Sequence, residues 1–187
     1  MVQVSDIPGN ANETEENNPV LPKKLVTGNL SMVMCNIMVW NVWSVLNEEK
    51  LSHVLQVFED NNIHIACITE TWFDACKGKF TSTIKQLGYD LIHGHREDKR
   101  GGGTAIIYKE SMKVKKGKAS TANQSFEYSY IYLKANGSKI CLLCVYRKQE
   151  VPCTTFCSEF EPFIENLSDT AEILLIVGDL GRPGGKS

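Results

Sequence analysis

The chain alternates short apolar runs with segments whose apolar residues recur at helical spacing. Three runs have the length and composition of buried strands, at residues 32–40, 63–69 and 172–177. Residues 47–61 begin with polar groups and then place four apolar side chains on one helical face: Leu51, Val54, Leu55 and Phe58. This spacing predicts an amphipathic helix, and a second, shorter helix is predicted over 80–87, ending at Gly88.

The second half of the chain has mainly the pattern of strands. Strands are predicted over four segments, 89–93, 104–108, 126–134 and 139–147. The last two flank Asn136-Gly137, a strong signal for a tight hairpin turn. Residues 154–167 have helical spacing, although Pro162 in the interior is expected to kink or split that helix. The alternation of helices and strands predicts an α/β protein with a mixed sheet.

Composition limits the classes of protein that fit. Residues 1 to about 28 contain few large apolar groups, so we expect a disordered leader there. The net charge of −2 does not indicate a nucleic-acid or membrane-surface protein as a whole. The N-terminus has no signal-peptide pattern and no apolar run is long enough to cross a bilayer, so we expect an intracellular protein, nuclear or cytoplasmic and not secreted. The seven cysteines are then expected to be reduced thiols.

Four polar residues occupy one kind of position, at or just beyond the carboxyl end of an apolar strand. They are Asn41, Glu70, Tyr146 and Asp179. Ligands of α/β proteins bind in crevices at such strand ends, provided that the strands are neighbours. The alternative is that Asn41 caps the next segment, Glu70 is a solvated loop acid and Tyr146 is half-buried core.

The chemistry of this set fits hydrolysis of a phosphate ester. Mg²⁺ prefers oxygen ligands and takes one or two carboxylates from a protein, a role that suits Glu70 with Asn41 beside it. Asp179 would orient the attacking water, and the phenol of Tyr146 would donate to a phosphoryl oxygen as charge develops there. Arg147 adds a guanidinium whose fork matches the geometry of phosphate.

Five segments occur in the order typical of one protein family. They are WNVWSV at 40–45, ITETW at 68–72, RGGGTAI at 100–106, VYR at 145–147 and IVGD at 176–179. With them the chain resembles the endonuclease/exonuclease/phosphatase (DNase I-like) family, and within it the apurinic-type endonuclease domain of non-LTR (LINE-like) retrotransposons. The resemblance implies an α/β four-layer sandwich that nicks DNA with Mg²⁺ or Mn²⁺. It assigns Asn41 and Glu70 to the metal site, Asn41, Tyr146 and Asp179 to catalysis, and DNA as the partner.

The same resemblance predicts a partial domain over residues 29–180, followed by a Gly-rich tail at 181–187. We expect the first mixed sheet with its helices, and only the first strand of a second sheet. Gly181 stands where the family pattern has an asparagine, Trp43 stands where a polar residue is common, and the terminal Ser-Asp-His motif is absent. We therefore expect this fragment to be inactive, and the alternative function is a catalytically inactive α/β module that binds nucleic acid or protein.

Two further clusters of residues are candidate sites. Lys99 and Arg100 begin a basic stretch that reaches Lys118, which is either a DNA-backbone contact or a solvated surface. Cys141 and Cys144, with Cys153 and Cys157, have spacing that suggests zinc. Residues three apart in a strand point to opposite faces, so buried thiols are the favoured interpretation.

Overall fold

The computed structural model describes residues 35–46, 48–73, 78–94, 101–120 and 125–181. The predicted leader at 1–28 and the tail beyond residue 181 lie outside the described residues. Eleven elements follow one another along the described part of the chain: β1 (Ile37–Asn41), α1 (Glu48–Asp60), β2 (Ile65–Thr69), α2 (Gly78–Gln86), β3 (Tyr89–Gly94), β4 (Thr104–Lys109), β5 (Lys115–Ala119), β6 (Phe126–Ala135), β7 (Ser138–Arg147), α3 (Cys153–Ser168) and β8 (Ile173–Asp179).

The strands form two mixed sheets of four strands each. The first has the order β1-β2-β4-β3, with β1 and β2 parallel and the other pairs antiparallel. The second has the order β5-β6-β7-β8, with β7 and β8 parallel. Each sheet therefore contains one parallel pair at one edge, and both pairs end their strands at the same side of the molecule.

Three apolar clusters separate four layers. The first joins α1 and α2 to the outer face of the first sheet, through side chains such as Phe58, Ile84 and Ile107. The second lies between the sheets and contains Ile65, Ile106, Ile131 and Leu142. The third packs α3 on the outer face of the second sheet and is rich in aromatic side chains. This arrangement confirms the predicted α/β four-layer sandwich.

The division of strands between the sheets differs from the prediction. β8 was expected to be the first strand of a second sheet, but it is the fourth, after β5, β6 and β7. The Asn136-Gly137 hairpin forms the centre of the second sheet, since β6 and β7 pair over their whole length and their outer edges pair with β5 and β8. Asn136 and Gly137 both have positive φ, 51° and 86°, as the tight turn requires.

Two other local expectations also need correction. β5 was not predicted as a strand, because its residues are mostly lysines and carry no apolar pattern. Pro162 was expected to kink or split the helix, yet α3 runs without interruption from Cys153 to Ser168. The aromatic face of α3 packs on β6, and this packing holds the helix together through the proline.

The two parallel pairs leave an open edge, where β1 and β8 each have one neighbouring strand. Met38 and Trp40 pack toward the helices, so the alternating residues of β1 face the space between the sheets. The apolar side chains at this edge, Ile37, Val39, Ile173 and Leu175, are between 39% and 48% exposed. No helix among the described residues is long and apolar enough to span a membrane.

Candidate functional site

The predicted strand-end residues meet at the open edge of the two sheets. Asn41 pairs in register with Thr69, the residue before Glu70, because β1 and β2 are parallel neighbours. Tyr146 and Asp179 are partners in the parallel pair of β7 and β8. Asn41 Nδ2 donates a hydrogen bond of 2.9 Å to Asp179 Oδ2, across the gap between the sheets. Two residues 138 positions apart in sequence therefore contact each other directly.

Asp179 is held on both oxygens. Oδ2 accepts from Asn41, and Oδ1 accepts from the backbone N–H of Gly181 at 2.9 Å. Gly181 has a φ of 72°, in the left-handed region that favours glycine. It supplies the hydrogen bond through its backbone, and a Cβ added at this position would lie 3.7 Å from Arg147 Nη1. The glycine thus fixes the orientation of the carboxylate at the site.

Glu70 is clamped by two donors on one oxygen. Its Oε2 accepts from Trp72 Nε1 at 2.6 Å and from the N–H of Gly102 at 3.1 Å. Among the described residues, none donates to the other oxygen, Oε1. A carboxylate fixed on one oxygen and open on the other is arranged to bind a cation or a water through the second oxygen.

Three loops interlock around this carboxylate. The N–H of Ser44 donates to the carbonyl of Glu70 at 2.7 Å, and the N–H of Trp72 donates to the carbonyl of Gly102 at 2.9 Å. Glu70 and Trp72 have φ values of 58° and 56°, which are uncommon for residues with side chains. A strained backbone conformation of this kind is kept only where surrounding contacts stabilise it, and here the hydrogen bonds between the loops stabilise it.

Tyr146 and Arg147 stand at the end of β7. Tyr146 is only 6% exposed and lies beside Asp179 in the register of the sheet. Arg147 donates to the backbone carbonyls of Val151 at 3.0 Å and Leu180 at 3.5 Å, and its guanidinium lies over the ring of Phe156. Arg147 therefore braces the loops that follow β7 and β8. A contact of either residue with phosphate stays a prediction.

Glu127 is a residue of the site that the sequence did not single out. It is buried on the inner face of β6, opposite Tyr146, and accepts a hydrogen bond from the N–H of Gly103. Gly103 follows Gly102, which holds Glu70, so Glu127 anchors the loop that clamps the carboxylate. A lone acid within the alternating pattern Phe-Glu-Tyr-Ser-Tyr was the available signal, since buried acids need a partner.

The donor set fits a hard divalent cation of the magnesium type. Mg²⁺ keeps several waters and needs only one or two protein carboxylates, which matches Glu70 with the amide of Asn41 nearby. Within the described part of the chain, no group of three or more His, Cys, Asp or Glu side chains converges as a closed metal cage would need. The residues therefore suit a metal shared with substrate and water.

The two other predicted clusters lie elsewhere. Cys141 and Cys144 are both fully buried on opposite faces of β7, so they are core thiols, as predicted, and burial raises the pKa of Cys141 to about 11. Cys153 and Cys157 are exposed on α3, so the prediction of burial was wrong for this pair. The described lysines of the basic stretch lie mainly on β5, three strands from β8 and about 14 Å away. Lys116 forms an ion pair with Asp90 at 2.6 Å. Lys99 and Arg100 lie outside the described residues.

A model of the endonuclease/exonuclease/phosphatase family matches residues 38–182 of the sequence. No curated protein matches the sequence. Among solved structures, the chain is similar to the human Nocturnin catalytic domain with bound sulfate, at 17% identity and a TM-score of 0.59, covering 80% of this chain and 64% of that one.

Two further solved structures are similar. The AP endonuclease LMAP from Leishmania major gives 17% identity and a TM-score of 0.59, covering 78% of this chain and 55% of that one. The 3′ phosphatase NExo from Neisseria, bound to a product DNA hairpin, gives 17% identity and a TM-score of 0.55, covering 78% and 57%. At this identity the likeness shows the fold, and the chain spans less than two thirds of the length of each of these three structures.

Proposed function

The chain belongs to the endonuclease/exonuclease/phosphatase family, and from that premise we propose that its site hydrolyses phosphodiester bonds of DNA with Mg²⁺ or Mn²⁺. The observation that carries this proposal is the bond of 2.9 Å between Asn41 and Asp179, which joins the two sheets at the edge where Glu70 also stands. A carboxylate that is held by an amide, together with a second carboxylate whose Oε1 accepts no hydrogen bond from the described residues, suits metal-assisted attack by water.

Each residue has a role in this proposal. Glu70, together with Asn41, would hold the cation, which would supply positive charge to the phosphoryl oxygens. Asp179, fixed by Asn41 and Gly181, orients the attacking water and accepts its proton. Tyr146 donates to a phosphoryl oxygen, and Arg147 adds positive charge for contact with the phosphate. The P–O bond to the leaving oxygen breaks as the bond from water forms, and the leaving oxygen takes a proton from solvent water to become a hydroxyl group.

DNA is proposed as the substrate on two grounds. The segments at 40–45, 68–72 and 100–106 resemble those of DNA-nicking relatives. One structure with a similar fold is bound to a product DNA hairpin, and another is an AP endonuclease. An origin in a LINE-like retrotransposon is proposed on the resemblance of these sequence segments alone, and a reverse transcriptase encoded in the adjoining genomic sequence would corroborate it.

A plasmid-nicking assay tests the activity. We expect nicking in Mg²⁺ and none in EDTA, and Glu70→Ala should lower the rate about 100-fold or more, since a metal contributes several kcal/mol to such reactions. Glu110→Ala is the matched control, because Glu110 is an exposed acid in the turn after β4 and should change nothing. Nicking that survives chelation, or that is the same in Glu70→Ala, would refute the metal-dependent site.

A second candidate function rests on Gly181, which carries no side chain at the position where the family pattern has an asparagine. In that case the module binds nucleic acid without cutting it. This second function predicts salt-sensitive DNA binding and no nicking by the intact protein in either Mg²⁺ or Mn²⁺. Supercoiled plasmid recovered intact after long incubation, with binding retained in a gel-shift assay, would favour this function.

A further inference from the structure

Trp43 is the most exposed large apolar side chain of the described residues, with 68% of its surface accessible. It lies in the loop between β1 and α1, two residues after Asn41. Its ring is 6.3 Å from the ring of Trp72, which donates a hydrogen bond to Glu70. Only the ring of Trp72 therefore separates the exposed indole of Trp43 from the Glu70 carboxylate, which is proposed to hold the metal.

The backbone of Trp43 is fixed at this place by the site itself. Its N–H donates to Asn41 Oδ1 at 3.3 Å, and its carbonyl accepts from Lys50 Nζ. The N–H of the next residue, Ser44, donates to the carbonyl of Glu70 at 2.7 Å. The φ of Trp43 is 48°, a left-handed conformation that is strained for a bulky residue.

Core packing does not account for this arrangement. Burying a tryptophan stabilises a fold, whereas this indole is largely left in water on a strained backbone. The neighbouring residues of the same loop, Val42 and Val45, are buried and anchor it to the core. The loop therefore presents Trp43 outward while its other apolar residues point in.

We propose that Trp43 is a stacking platform for an unpaired nucleobase next to the phosphate at the site. This inference rests on the proposed function and narrows its substrate class to DNA with a single-stranded, terminal or displaced base. An indole offers a flat face to any base, and Lys50, whose ammonium donates to the backbone carbonyl of Trp43, adds a positive charge for the backbone phosphate. Bases inside an intact duplex are already stacked on each other, so they do not meet this ring.

The test measures binding in EDTA, where no cutting takes place. The intact protein is titrated into a fluorescein-labelled single strand of about eight thymidines, and into a strand of the same length in which every base is absent. We expect Trp43→Ala to weaken binding of the thymidine strand about tenfold and to leave the abasic strand unchanged. Trp43→Phe should retain most of the affinity, because it keeps an aromatic face.

Leu87→Ala is the control, since Leu87 is a large exposed side chain at the end of α2, away from the site. Equal loss on both strands in Trp43→Ala, or no loss on either, would overturn the proposal, as would a wild-type protein that binds the two strands alike. The nicking assay reports separately on the proposed function. Loss of base-dependent binding with Glu70-dependent nicking intact rejects the platform alone, and base-dependent binding without nicking rejects catalysis alone.

Discussion

Glu70 illustrates how a single side chain at this site depends on the backbone of its neighbours. Its Oε2 is held by the N–H of Gly102, and the next N–H, of Gly103, is held by the buried Glu127. Gly103 has a φ of 90°, and a Cβ added there would lie 2.3 Å from Thr71 Oγ1. At the scale of the residue, glycine at this position is required by both conformation and space.

Substitution of Gly103 tests this requirement. Gly103→Ala should destabilise the protein by about 2–3 kcal/mol, because the alanine is strained at positive φ and collides with the fully buried Thr71. Urea unfolding followed by tryptophan fluorescence gives the free energy of unfolding. Gly78→Ala, at an open position in α2, should be neutral or stabilising by up to about 1 kcal/mol. Similar free energies for the two variants would contradict the assigned geometry.

At the scale of the element, α3 stays continuous through an internal proline because the helix packs on the second sheet. Pro162 is exposed and cannot donate a backbone hydrogen bond, while the aromatic side chains Phe156, Phe160 and Phe163 of the same helix pack on Phe126. Edge-to-face and tilted ring pairs with centroids 5.2–5.9 Å apart hold the helix against the sheet. Tertiary contacts therefore decide the continuity of this helix.

Removal of the proline should make the helix more stable. Pro162→Ala restores a backbone donor and relieves the ring clash, so we expect a gain of about 1–3 kcal/mol in the free energy of unfolding. Thermal unfolding by circular dichroism measures the change. Pro152→Ala is the control, because Pro152 occupies the N-cap of α3, where no intrahelical donor is needed, and should shift stability by less than about 0.5 kcal/mol. A fall in melting temperature for Pro162→Ala would argue against this account.

At the scale of the whole molecule, Asp90 links the two sheets at the side opposite the open edge. It lies on β3, accepts from Tyr108 at 3.0 Å and pairs with Lys116 on β5 at 2.6 Å. Burial works to raise the pKa of Asp90, but hydrogen bonds from Lys116, the N–H of Leu91 and Tyr108 together lower it below 3.8. The charged form of this carboxylate is therefore favoured by folding.

This shift predicts how stability depends on pH. Because the folded pKa is depressed, the contribution is present above about pH 4 and is lost as the pH falls through the folded pKa. Asp90→Asn should cost up to about 1 kcal/mol at pH 7 and progressively less below pH ~4. Urea midpoints across this range measure the difference, with the exposed Asp60→Asn as control. A cost that stays constant down to pH ~2 would show that the charge of Asp90 is not responsible.

The open edge formed by β1 and β8 is a second feature at the scale of the whole molecule. Ile37 and Val39 on β1 face the space between the sheets, as do Ile173 and Leu175 on β8, and all four are partly exposed. The predicted apolar character of these strands was right. That β1 shares this edge follows only from the order of strands in the two sheets.

Local pattern determined the elements and the chemistry of their ends. Periodicity predicted α1, the core strands β2 and β4, and the Asn136-Gly137 hairpin, because the spacing of apolar residues and the φ preference of glycine act within a few residues. It also placed Asn41, Glu70, Tyr146 and Asp179 at strand ends. It missed β5, a strand rich in lysine that pairs with β6 and carries no apolar pattern.

The tertiary structure determined which of those strand-end residues contact one another. The contact between Asn41 and Asp179 depends on two sheets packing face to face, and the clamp on Glu70 depends on a glycine loop anchored by Glu127 from the other sheet. These contacts join residues 24 to 138 positions apart, where the order of strands, and no local preference, sets the distance. In the sequence, Trp43 was only a departure from the family pattern. Its exposure beside the site follows from the tertiary packing of the loops.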